Sequence, residues 1–145
     1  LIGELVAGRK VAADRPFPGL PLVNDRLRPE LRSLSTFDRG RFLELGKVVA
    51  HAVEATARNL SRGETEEEVA GQVAHRLVRH GAEAVSVSVA ADGRAKKYRR
   101  PGFTPAKVTA GCVLQATGFR GGLYVTAARS VSFGPPADEY RAEFD

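Results

Sequence analysis

The chain has 145 residues, 43% hydrophobic and 27% charged, an ordinary globular composition of about one domain's length. No apolar run approaches the roughly 20 residues that cross a bilayer, and a formal charge of +5, from 22 basic and 17 acidic residues, attracts anions without specifying a partner. The single cysteine, Cys112, excludes an internal disulfide framework and reads as a small core residue in a protein expected in the reducing cytoplasm.

There is no methionine and the first residue is Leu1, so the sequence reads as an internal piece of a longer chain. Residues 1–34 open on a short apolar stretch and continue through Pro16 to Pro21, where proline and glycine disfavour a helix. A loop packed on the domain surface, an extended linker, an edge strand or the end of a preceding N-terminal domain is expected there, with a further domain over 35–145.

From Thr36 to Leu60 the positions Phe42, Leu45, Val49, Ala52 and Thr56 step by three and four, one face of a helix, with Ser35 and Asp38 as its N-terminal cap. A second helix starts at Thr65, where Glu68 completes a capping box and Glu66 to Glu68 place negative charge at the positive helix end. Val69, Val73 and Leu77 form its apolar stripe, and Gly81 ends it in a left-handed conformation. Val85, Val87 and Val89 alternate with Ser86 and Ser88, a strand with one buried face, and Asp92-Gly93 makes a turn. Gly111 to Thr117 and Leu123 to Phe133 then read as an antiparallel hairpin joined through Gly118, Gly121 and Gly122. Helices grouped before strands define an α+β fold, with the helices on one face of an antiparallel sheet.

The ordered set of motifs carries a resemblance. It comprises the long helix, the Gly63-x-Thr65-Glu66 helix start, the valine strand and Arg100-Pro101-Gly102-Phe103-Thr104. A Gly-Cys-Val-Leu strand from Gly111, the Gly-Gly-Leu-Tyr turn, an Ala-Arg-Ser-Val strand around Arg129 and a closing Phe133-Gly134 complete it. From Asp38 to Gly134 the chain resembles the creatinase/aminopeptidase superfamily, the pita-bread fold of Xaa-Pro aminopeptidases, prolidases and methionine aminopeptidases. The resemblance implies two aspartates, eleven residues apart on consecutive strands, that ligate a pair of divalent metals such as manganese, cobalt, zinc or iron. Gln115 and Thr126 stand at the matching positions. An amide and a hydroxyl carry no charge to offset two dications, so the resemblance implies a hydrolase frame with altered ligands and no cofactor is expected. The family's remaining ligands, one His and two Glu, would lie beyond the matched segment.

Arg100 takes the place of a substrate-contacting His, and Arg129 matches the Arg of the family's second strand. Both are the expected substrate contacts. The run from Arg94 to Arg100 holds Lys96, Lys97 and Arg99 besides, five basic residues in seven with Tyr98 among them, and is otherwise read as a solvated loop. His75 and His80 lie five apart and His51 is on another helix, so no metal site is read from the histidines. Gly118-x-x-Gly121-Gly122 precedes no helix and reads as hairpin geometry rather than a phosphate loop. The expected function is peptide or small-anion binding or assembly rather than hydrolysis, and the resemblance implies a homodimer. Its rivals are an active metal-dependent hydrolase completed by downstream residues and a nucleic-acid-binding module using the basic loop.

Overall fold

The computed structural model describes residues 7–26 and 33–135; the apolar start of the chain lies outside them. The chain divides after Arg39 into two compact units. In the first, the proline-rich stretch folds back on itself instead of running extended. The Ala13 N–H donates to the Pro21 carbonyl (2.9 Å) and the Val23 N–H to the Ala13 carbonyl (3.0 Å), closing an isolated parallel bridge between Ala13 and Leu22.

Helix α1 spans Thr36–Asn59 and is capped as expected: the Asp38 N–H donates to Ser35 Oγ at 3.1 Å. Leu45, Val49, Ala52, Val53 and Thr56 are its buried stripe, and the Thr56 hydroxyl is satisfied by the Ala52 carbonyl at 2.8 Å. Phe42 falls short of that stripe and is exposed. Helix α2, Glu66–Arg79, has the full capping box: Glu68 N–H to Thr65 Oγ1 (3.2 Å) and Thr65 N–H to Glu68 Oε2 (2.7 Å). Gly81, at φ +72°, turns the chain into the sheet.

Three strands follow: β1 (Glu83–Ala91), β2 (Gly111–Arg120) and β3 (Leu123–Ser132), in the order β1-β2-β3 and antiparallel throughout. A single helical turn, α3 (Arg94–Lys97), lies between β1 and β2. The serine–valine alternation of β1 breaks at a bulge between Ala84 and Ser86. The extra residue shifts the pleat by one, so Val85 is exposed while Ala84, Val87 and Val89 turn inward. Strand β2 runs three residues further than expected and the hairpin closes on Gly121 and Gly122 alone. Both have positive φ (+55° and +85°), which a two-residue turn of this hand requires. Gly118 is therefore a strand residue, and its lack of a side chain serves packing: a Cβ there would sit 2.6 Å from Val49 Cγ2 on α1. Leu45, Val49 and Val53 of α1 and Val69, Val73 and Leu77 of α2 meet Val89, Cys112, Leu114 and Ala116 of the sheet in one core. The helices thus cover one sheet face, and the expected α+β arrangement is the observed one.

Candidate functional site

Residues of alternate parity on β2 and β3 point away from the helices. Cys112, Leu114 and Ala116 are buried, whereas Gln115 is exposed and Thr117 half-buried. Cross-strand partners share a face. Gln115 pairs with Ser88 on one side and Ala128 on the other, and Thr117 pairs with Thr126. The outer face is consequently neutral and rich in hydroxyls, without a carboxylate on either strand of the hairpin. Gln115 and Thr126 share it but sit one rung apart, a diagonal separation of roughly 7–8 Å. The pair that meets is Thr117 and Thr126, whose hydroxyl oxygens are 2.8 Å apart. At the hairpin end Phe119 and Tyr124 stack with ring centres 4.7 Å apart.

Arg129 is on the other side. It pairs with Leu114, which is fully buried against the helices, and its guanidinium donates to the Ala128 carbonyl at 2.9 Å. By register its Cβ leaves the sheet on the face opposite Gln115 and Thr126.

The Gly102 carbonyl accepts from the Val89 N–H (2.8 Å) and from Ser88 Oγ (3.3 Å), which lays the 101–104 segment along the free edge of β1, one strand from Gln115. Lys96, Lys97, Tyr98, Arg99 and Arg100 are exposed, as the solvated-loop reading anticipates. Arg94 is not. Its Nε donates to Glu66 Oε1 at 2.8 Å, its Nη2 to the Pro101 carbonyl at 2.8 Å, and its side chain keeps only 24% exposure.

Glu66 is the residue the sequence reading placed wrongly, as one capping charge among three. Its carboxylate is fully buried and accepts four hydrogen bonds. Oε1 takes the Ala91 N–H (2.7 Å) and Arg94 Nε; Oε2 takes the Thr104 N–H (2.8 Å) and hydroxyl (2.7 Å). Burial opposes its ionisation, but the Ala91 N–H, the Thr104 hydroxyl and Arg94 together outweigh burial and hold the carboxyl below its usual range. The partners lie 25, 28 and 38 residues away, so no local pattern announces them.

Asp92 does comparable work on a smaller scale. At φ +46° it accepts from the Thr109 hydroxyl (2.5 Å) and from the backbone N–H groups of Thr109, Ala110 and Gly111, fixing the entry to β2. Burial raises its pKa, the hydrogen bonds led by Thr109 lower it, and the net shift is downward. Cys112 is a core residue, as expected: burial, then the charges of Asp92 and Glu66, push its thiol up to about 11, too high for a thiolate nucleophile near neutral pH.

His51 and His80, read as separate, come together across the two helices with ring centres 5.5 Å apart and nearly perpendicular. Among the described residues no three His, Cys, Asp or Glu side chains are placed to hold a metal ion. His75 instead lines a shallow groove of about 620 Å³ along α2, with Glu64, Glu68, Gln72, Arg76 and Arg79. None of the described helices is long and apolar enough to cross a membrane.

With this geometry in place the fold is recognisable as part of the pita-bread architecture. Solved structures that share it include the dipeptidase PepE of Mycobacterium ulcerans, with a TM-score of 0.72 and 19% identity over 86% of this chain and 34% of that one. The X-Pro aminopeptidase of Thermotoga maritima matches with a TM-score of 0.70 and 20% identity over 97% of this chain and 38% of that one. The prolidase of Pyrococcus horikoshii gives 0.76 and 16% over 97% and 46%. The chain thus spans between a third and a half of these neighbours' lengths. No protein-family model and no curated protein sequence matches it.

These neighbours overturn the expectation that no cofactor is held. They are Xaa-Pro peptidases, dipeptidases and prolidases, the class for which the resemblance implies a bimetallic centre, and this chain corresponds to less than half of each. Neutral side chains at 115 and 126 show only that this hairpin adds no anionic ligand; they are no ground for excluding a metal from the whole.

Proposed function

We propose that the chain forms part of a peptidase-like domain whose outer sheet face and adjoining basic loop recognise a peptide or small anion. The observation that carries this reading is the pairing of charge with neutrality. Gln115, Thr117 and Thr126 present uncharged hydrogen-bonding groups, and the loop along the neighbouring strand edge presents Lys97, Arg99 and Arg100 to solvent. A peptide carboxylate suits the planar fork of Arg100, while its amides suit the amide of Gln115 and the threonine hydroxyls. Calorimetric titration of the dipeptide Ala-Pro into the full-length protein tests this. Saturable binding that is lost when Lys97, Arg99 and Arg100 are changed to Glu is the expected result; unchanged affinity in that variant refutes it.

A second reading, metal-dependent cleavage of Xaa-Pro peptides by a site completed from other residues, is favoured by the chain's coverage of only 34–46% of its structural neighbours. Stoichiometric metal in the purified full-length protein, with chelator-sensitive cleavage of Ala-Pro, is its signature. The nucleic-acid reading loses ground because Arg94, one of the five loop cations, is already paired with Glu66.

A further inference from the structure

The basic loop is held from outside itself. Its first residue, Arg94, and the residue closing it, Thr104, both bind the same carboxylate, one to each oxygen, and Arg94 Nη2 reaches across to the Pro101 carbonyl. A fourth bond, from the Ala91 N–H, pins the end of β1 to the same point. The residues between are exposed: Lys97, Arg99 and Arg100, with Tyr98 lying under the Arg94 guanidinium at 5.6 Å. We propose that Glu66 is a positioning residue for this loop: it touches no ligand, but by joining the loop's two ends it sets the conformation in which the three cations are displayed.

The physical reason is pre-organisation. A loop of this length, released at both ends, samples many conformations, and a ligand must then meet the cost of ordering it. With Glu66 in place that cost is met on folding. Beyond Glu66, the segment is held at Gly102 by the Val89 N–H and Ser88, and at Pro101 by Arg94, whose guanidinium Glu66 itself orients. The binding part of this inference rests on the reading of the loop as an anion contact; the conformational part does not.

Two of the same cations make the test, because Lys97 and Arg99 are trypsin sites, whereas Pro101 blocks cleavage after Arg100. The full-length protein and its Glu66→Gln variant are digested under native conditions beside Gly118→Ala, which disturbs the core at the helix–sheet contact far from the loop. Cleavage after Lys97 and Arg99 is expected to accelerate by about tenfold in Glu66→Gln and to stay near the wild-type rate in Gly118→Ala. Affinity for Ala-Pro is expected to fall by about tenfold in the first variant alone. Thr104→Ala, which frees one end of the loop and leaves the buried ion pair, gives an intermediate effect and serves if Glu66→Gln does not fold. Equal loop cleavage in the Glu66→Gln and Gly118→Ala proteins would overturn the inference, since Glu66 would then only stabilise the fold. Accelerated cleavage with no Ala-Pro binding in the wild type upholds the positioning role and refutes the anion-contact reading instead.

Discussion

Replacing Glu66 by Gln keeps the side chain's size and removes one acceptor and one charge. The four donors are divided two and two between the oxygens, so the outcome can be worked through. If the new amide nitrogen takes the place of Oε1, it faces the Ala91 N–H and Arg94 Nε, two donors that cannot turn. If it takes the place of Oε2, the Thr104 hydroxyl can rotate to accept, but the Thr104 N–H cannot. Either orientation sets a donor against at least one backbone donor in a dry position, at a cost of about 1–3 kcal/mol for the unsatisfied group. Arg94 also loses its counter-charge, and breaking a buried pair by removing one partner costs about 3–5 kcal/mol in all. Urea unfolding of the full-length protein is expected to show a loss in that range, and Arg94→Met a smaller one, because the carboxylate then keeps three of its donors. A loss below about 1 kcal/mol in Glu66→Gln would refute the assignment of Glu66 as the buried hub.

Gly118→Ala places a methyl 2.6 Å from Val49 Cγ2, so overpacking is expected to cost about 1–3 kcal/mol, with Val49→Ala in the same chain restoring part of it; unfolding midpoints of the single and double variants check this. Glu66, Glu68 and Asp92 all have carboxyls held below their ordinary range. Each therefore stabilises the fold above its unfolded pKa, and that stability is lost as pH falls through the lowered folded value. The urea midpoint is expected to be flat from about pH 7 to 5 and to drop below about pH 4, more shallowly in Glu66→Gln; a steeper drop in that variant would contradict the sign. Cys112, with its thiol pushed up to about 11, should resist iodoacetamide at neutral pH in the folded protein and react once unfolded, as peptide mapping would show; rapid native labelling would contradict its burial.

Elements whose cause is local were legible in the sequence. The α2 capping box needs only Thr65 and Glu68, and the Gly81 stop is equally short-ranged. What escaped was set by partners distant along the chain. Val85 looked like a core position until the bulge against β2 shifted the pleat, and Gly118 looked like a turn residue until Val49 of α1 lay over it. The site shows the same division. Gln115 and Thr126, eleven residues apart, share one face of the hairpin, yet the strand register sets Thr117, not Gln115, opposite Thr126. Arg129 was separated from them by side-chain parity, which a motif match does not encode, and Glu66 was hidden because its partners come from three separate segments.

A crystal structure of the full-length protein with Ala-Pro bound tests the central claim most directly. The account predicts the dipeptide on the helix-free sheet face, its one peptide carbonyl near Gln115, Thr117 and Thr126 and its carboxylate at Arg100. A dipeptide seated elsewhere, or one held on the helix side by Arg129, would contradict it.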